Sequence, residues 1–154
     1  MGLVYVCAFL PDVGESVMDL AAQASDSLLG PNLRPAQYAN GTANQGTELY
    51  IDTAAFHEVF CADLPAETAA IMAVSQRPGD AAGFGEKTQA AAWKTLPSWA
   101  MIGTADKTIG VSGLRLMAGR AGAISTDVDA SHVAMISQPR ATADLIRTAL
   151  GSLG

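Results

Sequence analysis

Trp99-Ala-Met-Ile-Gly-Thr-Ala-Asp106, a helical segment, and then Ala123-Ile-Ser-Thr-Asp-Val-Asp-Ala-Ser-His132-Val-Ala-Met-Ile-Ser-Gln-Pro139 form the stretch that decides the fold. An apolar run ends in a small loop carrying Asp106, and a second extended run ends in a small loop carrying His132. Between them Val111, Leu114, Met117 and Ala118 recur at helical spacing, with Gly122 placed as a C-terminal stop. Strand, helix and strand within about thirty residues predict a βαβ unit with two parallel neighbouring strands. Ligands of open parallel sheets sit beyond the carboxyl ends of the strands, where Asp106 and His132 both fall. A carboxylate beside an imidazole fixes its tautomer and stabilises its protonated form, as a general base requires. An Asp after a strand also serves as a solvated turn residue, and a His as a surface group. The ordered pair at two strand ends sets the catalytic reading beside that ordinary one.

Working outward, Leu3-Val-Tyr-Val-Cys-Ala-Phe-Leu10 is apolar on both faces, the pattern of a central strand in a parallel sheet. It begins two residues into the chain, and the sequence after it offers few strands to flank it, so one edge is expected to lack a partner. Asp12-Val-Gly-Glu-Ser16 reads as a turn, with Ser16 capping a helix through Met18, Leu20 and Ala24 that ends at Gly30-Pro31-Asn32. Residues 35–46 read as loop. Thr47–Ile51 and Phe56–Phe60 read as two short strands, and Asp63 as the cap of a helix carrying Ile71, Met72 and Val74. Arg77-Pro78-Gly79-Asp80 breaks that helix, and a third is expected from Ala81 or later to about Trp93.

Residues 12–95 therefore make an excursion between strands far longer than the roughly dozen residues a crossover needs. An insertion at the carboxyl end of a strand is placed to act as a lid; the alternative is a set of ordinary core helices. After His132, Ser137 and Pro139 open a last helix with Ala141, Leu145, Ile146, Ala149 and Leu150 on one face.

A chain of 154 residues is ordinarily one domain with a real core. The hydrophobic fraction of 49% against 16% charged residues places it among globular rather than disordered sequences. Leu3–Leu10 is too short to span a bilayer and has no charged segment before it, so no membrane partner and a cytoplasmic location are expected. A net charge of −6 without clustered Lys or Arg argues against nucleic acid. His57 and His132 lack ligand spacing, so neither a metal nor another cofactor is expected. Cys7 reads as a small core residue, with a Cys7–Cys61 bridge as the alternative.

Val4-Tyr-Val-Cys-Ala-Phe-Leu-Pro-Asp12-Val-Gly-Glu-Ser16 is similar to the strand and turn that follow the nucleophile helix in α/β-hydrolases of the esterase and hydroxynitrile lyase branch. Ala92-Trp-Lys-Thr-Leu-Pro-Ser-Trp99 resembles the lead into that family's penultimate strand. Ile102-Gly-Thr-Ala-Asp106-Lys-Thr-Ile109 resembles the loop bearing the triad acid, and Ala130-Ser-His132-Val-Ala-Met135 the loop bearing the histidine. The four motifs stand in the family's order over residues 3 to about 150. The resemblance implies the carboxyl-terminal part of an α/β-hydrolase fold. Its parts are a central strand (1–11), a helical and hairpin lid insertion (12–95), and a strand-helix-strand-helix unit (96–154) supplying the triad's Asp106 and His132.

The nucleophile motif G-x-S-x-G is absent. Gly110-Val-Ser112-Gly113-Leu114 is a near miss but lies after the acid loop, so no nucleophile is assigned among Ser16, Ser112 and Ser131. The chain is thus expected to match the carboxyl half of such an enzyme and to be inactive alone. In the lyases a lysine follows the triad histidine; Val133 at that position resembles the esterases instead. A carboxylester is the implied substrate class, with Phe56, Phe60, Met72 and Phe84 available to line an apolar pocket. A non-catalytic small-molecule-binding or degenerate member is the alternative, a lyase relative the less favoured one. The unpartnered strand at 3–10 implies self-association.

Overall fold

The computed structural model describes residues 1–39, 41 and 45–154. Its main sheet is parallel and three-stranded, in the order β1 (Leu3–Val6), β5 (Ser98–Gly103), β6 (Ile124–Val128). Leu3 pairs with Ser98 and Val6 with Met101, while Trp99 pairs with Ile124 and Gly103 with Val128. All six residues of β5 are buried, and their alternation fills both faces of the sheet. Ala100 and Ile102 pack with Leu114, Met117 and Ala118 of α5 (Val111–Arg120) on one face. Trp99 and Met101 pack with Leu145 and Ala149 of α7 (Pro139–Gly151) on the other. The expected βαβ unit is therefore present. α5 ends as Gly122 implies: at φ 61° this glycine allows a 3.0 Å bond from Ala123 N–H to Ala118 O and one from Gly122 N–H to Gly119 O. This double bond closes the helix in a Schellman turn.

The first strand differs from expectation. It stops at Val6 because Cys7 adopts φ 44°, a left-handed conformation that turns the chain out of the ladder. Among the described strands β1 is hydrogen-bonded only to β5, so it has the one unpartnered edge that was expected and stands at the edge of the sheet rather than centrally, with Val4 exposed.

Ser16 caps α1 (Val17–Ala21) in a capping box with Asp19, and the helix ends before Ala24. The excursion builds its own antiparallel sheet in the order β2 (Leu33–Ala39), β3 (Gln45–Ile51), β4 (Gly79–Asp80). Residues 35–39, 45 and 46 are thus strand rather than loop; the reading for 40 and 42–44 lies outside the described residues. Pro35 and the polar side chains hide β2 in the sequence, but the hairpin register with β3 satisfies its backbone.

Phe56–Phe60, read as a strand, is the short helix α2. The helical turn brings the rings of Phe56 and Phe60 to 5.0 Å, and burial of Phe56 and Val59 outweighs the strand propensity of a five-residue segment. α3 (Ala66–Ser75) forms as expected, but Pro65 occupies its cap position and Asp63 is used elsewhere. The third helix is only α4 (Ala81–Gly85), with a single 3₁₀ turn at Ala92–Lys94. Ser137 closes α6 (Ala134–Ser137), so Gln138, not Ser137, precedes α7. On α7, Leu145 and Ala149 are buried but Ile146 and Leu150 are exposed, so the buried face is narrower than predicted.

Two clusters organise the excursion. Leu10 and Leu20 join the main core beneath α5, while Phe56, Cys61, Leu64, Ala69 and Ala73 form a separate cluster. Val133, the residue after His132, is buried in that second cluster. Cys7 and Cys61 are buried free thiols, so the alternative of a bridge is not realised. Among the described residues, no helix is long and apolar enough to cross a membrane.

Candidate active site

β5 and β6 deliver Asp106 and His132 to the same end of the sheet. The loops after them are zipped by Thr104 N–H to Val128 O at 2.9 Å and Ala105 N–H to Ala130 O at 3.1 Å. Gly103 makes the approach possible. A Cβ there would lie 2.7 Å from Ser131 O and 2.8 Å from Ala130 O, closer than real contacts allow. Its sequence signal is the Gly in Ile102-Gly-Thr-Ala-Asp106, a small residue where a strand meets a functional loop.

Asp106 is 2% exposed, with its carboxylate wholly buried. Oδ1 accepts the N–H groups of Thr108 at 2.8 Å and Ile109 at 3.0 Å, an Asx-type turn that locks the side chain. Oδ2 lies 2.8 Å from His132 Nδ1. With a carboxylate accepting at Nδ1, that nitrogen carries the proton, and the Nε2 lone pair is left to act as a base. Nε2 has no hydrogen-bond partner among the described residues. The imidazole is one-fifth exposed and borders a cavity of about 700 Å³.

The cavity lies between the carboxyl end of the sheet and the excursion. Phe9 and Ile109 line it from the sheet side, and Leu33, Leu49, Phe60 and Phe84 from the excursion. Phe56 and Met72 line it as well, so all four residues named as pocket candidates reach it. Its walls are predominantly apolar, and the Phe60 ring sits 5.1 Å from the His132 ring. Cys7 also borders the cavity, but burial and then the nearby Asp106 carboxylate push its thiol up to about 11, so it stays protonated at neutral pH.

The serines named in the sequence are engaged elsewhere. The Ser16 hydroxyl belongs to the cap of α1, and the Ser112 hydroxyl donates to Asp26. The Ser131 hydroxyl donates to Asp63. His57 Nε2 pairs with Leu64 O at 2.9 Å within the excursion rather than with Asp106. Among the described residues, no group of three or more His, Cys, Asp or Glu is placed to hold a metal ion.

Sequence reasoning missed the supports of the pair: Gly103, Thr108, Phe60 and Asp63. The Thr108 hydroxyl donates to Val59 O at 2.7 Å, tying the acid loop to α2. Burial alone would raise the Asp63 carboxyl; the hydroxyls of Ser131 and Ser137 and the N–H of Ser131 outweigh it and hold the group below the usual carboxylate range.

A parallel sheet with crossover helices, carrying Asp106 and His132 at successive strand ends, defines an α/β domain. The chain belongs to the Alpha/beta hydrolase family, whose family model matches residues 1–145. A comparison with curated protein sequences finds no match. Among solved structures, the chain is similar to polyneuridine aldehyde esterase, at 18% identity and a TM-score of 0.76 over 95% of this chain and 61% of that one. It is also similar to a pyrethroid hydrolase from Sphingobium faniae JZ-2, at 19% identity and a TM-score of 0.69 over 96% and 59%. Tomato methylketone synthase I gives 16% identity and a TM-score of 0.71 over 96% and 60%. At these identities the likeness is one of fold, and the chain spans about three-fifths of the length of these relatives.

Proposed function

We propose that Asp106 and His132 are the acid and base of a Ser-His-Asp triad in a carboxylester hydrolase. The nucleophilic serine and oxyanion donors would come from a segment outside these 154 residues. The observation that carries this reading is the 2.8 Å bond from His132 Nδ1 to the buried Asp106 carboxylate, beside an apolar cavity. Nε2 takes the proton of the serine hydroxyl as its oxygen bonds to the ester carbonyl carbon. The tetrahedral intermediate then collapses, the carbon–oxygen bond to the alcohol breaks, and Nε2 returns the proton to the departing alcohol oxygen. Water repeats the sequence on the acyl-enzyme, with Asp106 stabilising the imidazolium each time.

Residues 12–95 act as the lid, and the cavity they cover suits an ester with a bulky apolar body. The esterase and pyrethroid hydrolase among the similar structures support that class. Methylketone synthase I among them is a reminder that this fold hosts other reactions. Val133 favours an esterase over a hydroxynitrile lyase, which carries lysine there.

The second reading is a small-molecule-binding member without catalysis, favoured by the hydrogen bonds that commit the Ser16, Ser112 and Ser131 hydroxyls to carboxylates rather than to His132. Steady-state hydrolysis of short-chain aryl esters separates the two. The 154-residue chain should show no saturable turnover above buffer. The same chain joined to a segment supplying a G-x-S-x-G elbow and oxyanion loop should become active. In that joined protein His132→Ala should lower kcat by several orders of magnitude. Saturable binding of apolar esters with no turnover in either form would favour the binding module.

A further inference from the structure

We propose that Asp63 is a positioning residue for His132, through which the excursion holds the imidazole in line with Asp106; this rests on the catalytic reading of the pair. Ser131, directly before His132, is 1% exposed. Its N–H donates to Asp63 Oδ2 at 3.0 Å and its hydroxyl to Asp63 Oδ1. A hydroxyl has one proton, so Phe60 O, 3.4 Å from Ser131 Oγ, is only the longer alternative acceptor. Ser131 is sealed from solvent in the native chain, with the solvent-exposed Asp63 lying over its two donors. Loss of the carboxylate would remove the fixed acceptor of two donors beside the candidate base and leave them to mobile water.

The residue on the other side of His132 is tied to the same part of the chain. Val133 is 4% exposed and packs in the cluster of Phe56, Cys61 and Leu64. The acid loop is held there too, by the Thr108 hydroxyl on Val59 O and by the Lys107–Glu58 ion pair at 2.9 Å. The segment from Phe56 to Leu64 thus grips both loops and places the Phe60 ring against the imidazole. A ring is aimed by the backbone on either side of its Cα. Here both flanking residues are anchored in a segment 68 residues away along the chain. Asp63 makes no salt bridge among the described residues, so its charge faces the Ser131 and Ser137 side of the histidine loop rather than a surface cation.

The two histidines of the chain make the test direct. The Hε1 and Cε1 resonances of His132 and His57 are compared in the native chain, Asp63→Ala, Asp63→Asn, Ser131→Ala and Asp106→Asn. Asp106→Asn should displace the His132 signal, since it changes the partner of Nδ1. Asp63→Ala should displace and broaden the same signal as the ring samples more than one orientation. Asp63→Asn should do so less, because its amide oxygen still accepts one donor. Ser131→Ala covers the case in which Asp63→Ala does not fold. His57, bonded to Leu64 O, should hold its place in all four variants. In the joined enzyme, Asp63→Ala should lower kcat with KM little changed. A lowered Tm with an unmoved His132 signal would overturn the proposal, as would His132 and His57 moving together, which is local unfolding. An unmoved His132 in Asp106→Asn would instead overturn the acid–base pair itself.

Discussion

Replacing Asp106 separates two tasks that one carboxylate performs: holding the turn and holding the histidine. Asp106→Ala removes the acceptor of three bonds, at 2.8, 3.0 and 2.8 Å. The N–H groups of Thr108 and Ile109 are then orphaned in a buried turn, at about 1–3 kcal/mol each. Relief of the carboxylate's desolvation offsets part of that, as does settling of the loop, so the net cost should be about 3–5 kcal/mol, in the range for removing one partner of a buried polar pair. Asp106→Asn keeps an oxygen for the two N–H groups but turns an amide NH2 toward His132. The imidazole answers by accepting at Nδ1 and carrying its proton on Nε2. What is lost is the charge assistance of all three bonds, offset in part by relief of the carboxylate's desolvation, for a net cost of about 1–2 kcal/mol.

The two variants should therefore differ by about 2–3 kcal/mol in stability, while both lose the useful tautomer. Urea unfolding followed by the fluorescence of Trp93 and Trp99 measures the first difference, and long-range ¹⁵N–¹H correlation of the imidazole reads the second. Equal destabilisation by Asn and Ala would refute the turn-holding role. An Nε2-protonated neutral ring in the native protein would refute the role of Asp106 as the acceptor at Nδ1.

The remaining expectations concern the supports and the edge. Gly103→Ala should cost about 1–3 kcal/mol and displace the His132 resonances, because the new methyl meets the backbone carbonyls of Ala130 and Ser131, which cannot swing aside. Asp63 is held below its unfolded value of about 3.9. Its contribution is fully present above that value and fades as pH falls through the lower folded value. The urea midpoint of the native chain should thus fall more steeply on acidification below about pH 4 than that of Asp63→Asn, the gap between them being constant at higher pH. β1 leaves one edge unpaired among the described residues, with Val4 exposed, so light scattering of the 154-residue chain should report dimers or larger species. A folded monomer at working concentration would contradict that.

Asp106 and His132 were legible because each is announced locally. An apolar run ends, small residues follow, and the helical spacing of Val111 to Ala118 implies that the two runs are parallel neighbours, as β5 and β6 are. What surrounds them was hidden for two reasons. Short elements are decided by tertiary contact: α2 is helical because Phe56 and Val59 reach a cluster that the sequence does not reveal, and β2 is a strand because β3 lies beside it. Long-range polar ties leave no periodic trace. Asp63 three residues before a helix looks like a cap, yet its bonds run to Ser131. Cys7 likewise sits in an unbroken apolar run, and only its left-handed backbone shows where the strand ends.

Fluorophosphonate labelling with mass spectrometry tests the central claim most directly, because the reagent bonds to a serine only when a neighbouring base activates it. The chain joined to an elbow-bearing segment should gain one phosphonyl group on the elbow serine. Labelling should be slowed by orders of magnitude in His132→Ala and strongly in Asp106→Asn, and the 154-residue chain should remain unlabelled. Labelling of the joined protein at an unchanged rate after His132→Ala would contradict the account, as would His132-dependent labelling of Ser16, Ser112 or Ser131 in the 154-residue chain.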